Sequence, residues 1–190
     1  AEVQDLNGDL TIRNLHGDFA LRNLSGVVEA HSVEGRVDAY ALTGSARLRT
    51  GEDDITVVNS SAAMQLETVE GDILLERIVA RRVTANTTEG RIDFSGEILE
   101  GGEYGFYSHS GNIRLQLNPP ANLVATILSY KGEFQSDFPV RASGFTSGEA
   151  LEFTIGHGGA RLIMETFDGD IGLLRGSGGD TRDLNEVDEL

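Results

Sequence analysis

Apolar and polar residues alternate through the first half of the chain in short runs of strand periodicity. Within residues 6–12, Leu10 and Ile12 fall on one parity, and Asp9 and Thr11 fall on the other. This alternation predicts short strands with one face buried and one face exposed to solvent.

A glycine precedes each run, and these glycines recur every nine residues. We call the positions at this step slots, and later in the chain some slots hold residues other than glycine. One residue is inserted before Arg81 and three before Gly102. The slots are Gly8, Gly17, Gly26, Gly35, Gly44, Asp53, Ala62, Gly71, Arg81, Gly90, Gly102 and Gly111. A short fixed period of this kind is typical of a β-solenoid.

Both insertions fall between alternate slots, which favours two nine-residue units per coil. The fold class predicted is all-β, a single right-handed parallel β-helix with two short strands per coil of about 18–21 residues. One inward column is Phe19, Val37, Ile55, Ile73, Ile92 and Ile113, and the column on the opposite face is Leu10, Val28, Ala46, Met64, Val83 and Tyr104.

The regular pattern ends after Leu117, where Pro119 and Pro120 follow. Strand alternation returns at residues 123–127, 132–134 and 151–155, and residues 140–150 are predicted to form a loop. The nine-residue step reappears from Ala160 and indicates a well-formed last coil. We therefore expect a solenoid domain over residues 1–176 and an acidic flexible tail over residues 177–190.

Composition narrows the function classes. The formal charge of −16, from 31 acidic and 15 basic residues, disfavours nucleic acid and anionic membrane surfaces as partners. The absence of cysteine excludes disulfides and thiolate metal sites. No apolar run is long enough to insert directly into a membrane.

Several motifs in the C-terminal half resemble a known family. They are the segments 110–113, 117–119, 123–126, 132–139, 156–160 and 165–171, in that order. These segments are similar to the bacterial DUF4097 family, which carries an adhesin label and is related to head GIN-type adhesin domains. The resemblance implies a β-solenoid of exported or envelope-associated bacterial proteins, and the family supplies no catalytic motif to transfer.

Candidate chemistry in the residues is sparse. The Gly-Asp pairs lack the double glycine of calcium-binding RTX repeats, and no histidine lies at metal-motif spacing from another. No serine lies in a Gly-x-Ser-x-Gly context. Carboxylates are abundant, but the chain has no tryptophan with which to build a sugar-stacking cleft. We therefore predict no catalytic residues and no resident cofactor.

One surface row stands out. The residues that precede successive slots on one corner are four glutamates. The row just after those slots can neutralise itself across coils, Asp18 with Arg36 and Asp72 with Arg91. The candidate interaction stripe is Glu34, Glu52, Glu70, Glu89, Asp54 and Asp72. The row has two explanations: a solvated face that opposes aggregation, or a surface for weak Ca²⁺ binding or a cationic partner.

The sequence thus predicts a non-catalytic, adhesin-like protein that is exported or envelope-associated and acts as a binding or spacer module. Its expected location is the periplasm or the cell exterior, and its expected partner is a protein or glycan at the cell surface. Two alternatives stay open: an exported polysaccharide-active enzyme, and a scaffold that self-associates through open strand edges.

Overall fold

The computed structural model describes residues 1–140 and 146–176. The described residues form fourteen β-strands in one sheet system and contain no helix. The strands are β1 (Glu2–Gln4), β2 (Leu10–His16), β3 (Phe19–Glu34), β4 (Val37–Arg49), β5 (Ile55–Val58), β6 (Ala63–Glu67), β7 (Ile73–Glu89), β8 (Ile92–Ser110), β9 (Ile113–Leu117), β10 (Leu123–Ser129), β11 (Phe134–Ser136), β12 (Leu151–Ile155), β13 (Ala160–Asp168) and β14 (Ile171–Arg175).

Parallel pairing between successive coils confirms the predicted two-unit coil. Val37 pairs with Ile55, Ile55 with Ile73, Ile73 with Ile92, and Ile92 with Ile113. All five side chains are buried, so they form one interior column. The pairing offset grows where the insertions fall, from 18 residues at Ile55–Ile73 to 21 at Ile92–Ile113. The right-handed sense of the coil stays a prediction.

Several strands are longer than predicted. β3, β4, β7 and β8 contain 16, 13, 17 and 19 residues, and each runs from one face of the solenoid to the other. At the first such corner, one residue per coil adopts the left-handed conformation with φ of 52–56°. This column is Asp5, Asn23, Ala41, Asn59 and Arg77. Asn23, Ala41 and Arg77 lie inside β3, β4 and β7, where one left-handed residue turns the chain without ending the strand, whereas Asp5 and Asn59 fall between strands.

The stacking order departs from the chain order near the C-terminus. β13 pairs in parallel with β8 on one side and with β10 on the other. Likewise, β14 lies between β9 and β11. The coil formed by β13 and β14, the last in sequence, is therefore inserted between β8–β9 and β10–β11. Strand β12 pairs with the other side of β10 and is the one antiparallel strand of the described sheet.

The strands predicted at residues 123–127 and 151–155 are confirmed as β10 and β12, whereas the one predicted at 132–134 is displaced, since β11 begins at Phe134. Residues 146–150 contain no strand and turn at 147–149, within the predicted loop. Residues 141–145 of that loop and the tail predicted over residues 177–190 lie outside the described residues.

Ala41 offers a test of the left-handed corner column. Asn23 donates to the Asp5 carboxylate at 2.8 Å, and Arg77 donates to Asn59, but Ala41 between them makes no such bond. Asparagine tolerates the left-handed conformation better than alanine. We expect Ala41→Asn to raise the free energy of unfolding by about 0.5–1 kcal/mol. Urea unfolding measures it, and Ala20→Asn, at a position with ordinary φ, should bring no such gain.

Candidate functional site

The corner that carries the predicted stripe is built on very close backbone contacts. A Cβ atom placed on Gly71 would lie 2.0 Å from the carbonyl oxygen of Asp53, and one on Gly90 would lie 2.1 Å from that of Gly71. Real Cβ atoms do not approach a backbone oxygen this closely, so glycine lets one coil settle on the next. Gly71 and Gly90 are therefore fixed by packing between coils.

A buried column of hydroxyl groups supports this contact. At this corner, from Thr50 onward, the residue three positions before the slot donates its hydroxyl to the carbonyl oxygen of the slot residue in the coil beneath, at 3.0–3.1 Å. Ser32, at the same position one coil earlier, has a buried Oγ without a partner in the described chain. The donors, in stacking order, are Thr50, Thr68, Thr87, Ser108, Thr166 and Ser129. These bonds satisfy carbonyl groups that the turn would otherwise leave without a partner.

The aspartates just after the slots perform a similar task on the outside of the corner. Asp54 accepts the backbone N–H of Asp72 at 2.9 Å, and Asp72 accepts that of Arg91 at 2.7 Å. Asp18 accepts the N–H of Arg36 at 2.9 Å. Asp54 and Asp72, two members of the predicted stripe, are therefore occupied as backbone acceptors between coils.

The glutamate row itself is exposed. At its start, Glu34 lies 2.8 Å from the imidazole Nδ1 of His16. Within the described chain, the side chains of Glu52, Glu70 and Glu89 have no hydrogen-bond or ion-pair partner. The corner holds these carboxylates about 4.8 Å apart at the backbone, one per coil.

Asp72 and Arg91 form the clearest ion pair of the corner. The guanidinium Nη2 lies 2.8 Å and the Nε 3.1 Å from the same carboxylate oxygen, Asp72 Oδ2. Burial tends to raise the pKa of Asp72, but hydrogen bonds from the Arg91 backbone N–H and guanidinium outweigh it and lower that pKa. The same contacts raise the pKa of Arg91. The predicted neutralisation of Asp72 by Arg91 is thus present, whereas Asp18 reaches Arg36 through its backbone.

No metal centre is assembled by this corner in residues 1–140 and 146–176, where no three His, Asp or Glu side chains converge as ligands. Over the same residues, no helix has the length and hydropathy needed to cross a bilayer. Weak Ca²⁺ binding along the glutamate row stays a prediction.

An outward aromatic stack, not anticipated from the sequence, joins the inserted coil to its neighbours. The His109 and Phe167 rings are parallel with centroids 5.0 Å apart, and Tyr130 packs at 5.5 Å from Phe167. The Lys131 ammonium lies 4.7 Å from the Phe167 ring centroid. The stack therefore joins β13 to β8 and β10 at the surface, where Phe167 and Tyr130 stay 39% and 44% exposed.

A basic cleft beside the first strands was also missed. It is open, has a volume of about 820 Å³, and is lined by apolar residues and by cations. Arg13, His31 and Arg49 are register partners on adjacent strands and form its outward row. Arg49 pairs with Glu67 at 2.9 Å, whereas Arg13 has no side-chain partner among the described residues. The spacing of 18 residues between these three positions was the signal available in the sequence.

The fold and corner define a repeat protein of the parallel β-solenoid class. The chain belongs to the DUF4097 family, described as Toastrack, whose model matches residues 2–174. The family match therefore includes the early repeats as well as the C-terminal segments that first suggested it. No curated protein and no solved structure matches the chain.

Gly71→Ala tests the close approach at the slots. The added methyl group would collide with the backbone carbonyl of Asp53, which cannot rotate away. We expect a loss of about 1–3 kcal/mol or more in the free energy of unfolding, measured by denaturant titration. Gly172→Ala is the matched control, because its nearest neighbour is 3.8 Å from the added atom. Equal stability of the two variants would contradict the packing role of Gly71.

Two substitutions of Asp72 separate the contribution of its ion pair with Arg91 from that of its hydrogen bond with the Arg91 backbone N–H. Asp72→Asn keeps an acceptor for the Arg91 N–H and should cost less than about 1 kcal/mol, whereas Asp72→Ala removes both contacts and should cost about 1–2 kcal/mol. The native pKa of Asp72 is below its ordinary value of 3.8, so the ion pair stabilises the fold above that pH. Its contribution is lost as pH falls through the native pKa, and the deficit of Asp72→Asn relative to wild type should shrink there. A deficit that is constant with pH in unfolding titrations would contradict this assignment.

Proposed function

We propose that this chain is a non-catalytic, exported or envelope-associated module that acts as a rigid spacer and presents a binding surface, in the manner of an adhesin. The observation that carries the proposal is the unbroken stacking of parallel strands from β3 to β13. Its expected partner is a cell-surface protein or glycan, and the polyanionic surface argues against nucleic acid.

Rigidity supports the spacer role. Each coil is joined to the next by parallel strands on both faces and by the hydroxyl column at the corner. Outward side chains therefore lie in straight rows with one residue per coil, and a partner meets a fixed array instead of a mobile loop.

The glutamate row is the surface best suited to a cationic partner. Glu52, Glu70 and Glu89 are exposed, lie on successive coils, and have no cation paired with them in the described chain. Like charges at this spacing destabilise the sheet slightly, and a bound cation relieves the repulsion. The attraction should weaken as salt screens it.

The test compares two double variants that remove the same charge. The full chain is immobilised, and binding of poly-L-lysine is measured by interferometry and that of Ca²⁺ by calorimetry. Glu52→Gln/Glu70→Gln should weaken the interaction several-fold at low salt. Asp38→Asn/Asp93→Asn, on the outward side of the isoleucine column, should leave it unchanged.

Equal losses in both variants would mean that net charge alone attracts the cations, and the row would then be a solubility feature. Fractionation of the source cells tests location separately. Recovery with the envelope or the medium supports export, and recovery with the cytosol contradicts it.

A further inference from the structure

The incompletely buried part of the hydrophobic core lies at the two ends of the solenoid. Seven apolar residues pack against the core but stay partly exposed. Four belong to the first coil and three to the C-terminal end: Val3, Leu6, Leu10, Ile12, Phe134, Val140 and Leu151. The solenoid therefore presents an apolar surface at each end.

Both ends also carry open strand edges. In the described sheet, β1 and β2 pair with β3 alone, and at the other end β11 pairs with β14 alone and β12 with β10 alone. An open edge exposes backbone N–H and C=O groups that can pair with another strand. Strand β12 runs antiparallel to β10. In a second copy stacked in the same direction, β2 therefore runs antiparallel to β12, and the two edges can pair as an antiparallel ladder.

The interior columns show how two ends would meet. The column that begins at Ile12 passes through Leu48, Phe106 and Ile127 and ends at Leu151. Its first and last members are half-buried, whereas the members between them are buried. A second copy stacked on the first would bring Leu151 onto Ile12 and continue the column.

Charge selects the orientation of this contact. Arg13, unpaired in the described chain, is exposed at the first end beside His31 and Arg49. At the other end, Glu149 and Glu152 are exposed and make no side-chain bond within the described residues. Two first ends would bring the cations together, and two C-terminal ends would bring Glu152 of each copy together. The first end also carries exposed acids, among them Asp9, which accepts the Val27 N–H at 3.2 Å. Along the β2 and β12 edges, the head-to-tail arrangement is the one that places Glu152 next to Arg13.

We propose that copies of this chain associate head to tail, with β12 of one copy pairing antiparallel to β2 of the next. In register, Phe153 meets Leu10, Leu151 meets Ile12, and Glu152 lies opposite Thr11 and within reach of Arg13. Such a contact is heterologous and does not close, so it generates linear assemblies. It uses the ends and not the glutamate row, and therefore goes beyond the proposed cation-binding surface.

A cysteine pair tests the register directly, because the chain has no cysteine of its own. The full chain with Thr11→Cys and Glu152→Cys should form a ladder of disulfide-linked multimers under mild oxidation, since opposed residues on paired strands lie within bridging range. Thr84→Cys/Glu152→Cys is the matched control, because the Thr84 strand is paired on both sides. An equal ladder in the control, or no ladder in the test variant, overturns the proposal.

Charge reversal provides a second, independent measurement by sedimentation at low salt. Arg13→Glu and Glu152→Arg should each weaken association by roughly tenfold, and the double variant should recover it. Glu52→Gln/Glu70→Gln should leave association unchanged, which distinguishes failure of this contact from failure of the cation-binding surface. A wild-type chain that stays monomeric at high concentration, or a double variant no better than the singles, would show that the ends do not pair.

Discussion

At the corner that carries the glutamate row, stacking of one coil on the next depends on the contact between a slot residue and the carbonyl of the slot beneath it. The approach is so close that a Cβ on Gly111 would lie 1.9 Å from the oxygen of Gly90. The buried hydroxyl of Ser108 donates to that oxygen at 3.1 Å. The corner thus satisfies its backbone acceptors while strands on both faces keep their ladder spacing. Straight interior columns follow from it.

The same contact explains why this surface is so acidic. An aspartate just after a slot accepts the next coil's backbone N–H, as Asp54 and Asp72 do. The residue just before the slot faces solvent and has no such task, which leaves Glu52 and Glu70 free to interact with a partner. Acids that accept backbone hydrogen bonds and acids without a partner in the described chain therefore lie close together in one short motif, and only the former are fixed by folding.

The C-terminal strands do not simply continue the stack in chain order. Inserting β13 between β8 and β10 places the final repeats inside the stack, where the His109–Phe167–Tyr130 contacts hold them. Antiparallel β12 then covers one edge. This end is more elaborate than the first end, yet Leu151 stays partly exposed. Two differently finished ends suit a directional arrangement of copies.

The sequence by itself determined the coil, its two-strand composition and the isoleucine column, because those features repeat at a fixed spacing that residue identity records. The glutamate row was visible for the same reason. Tertiary structure alone decided that Asp54 and Asp72 serve the backbone, since the N–H groups that donate to their carboxylates belong to a neighbouring coil. It also decided the place of β13, because pairing across 58 residues, as between Ile113 and Ile171, leaves no local periodic signal. The family model spans both kinds of region, from residue 2 to residue 174.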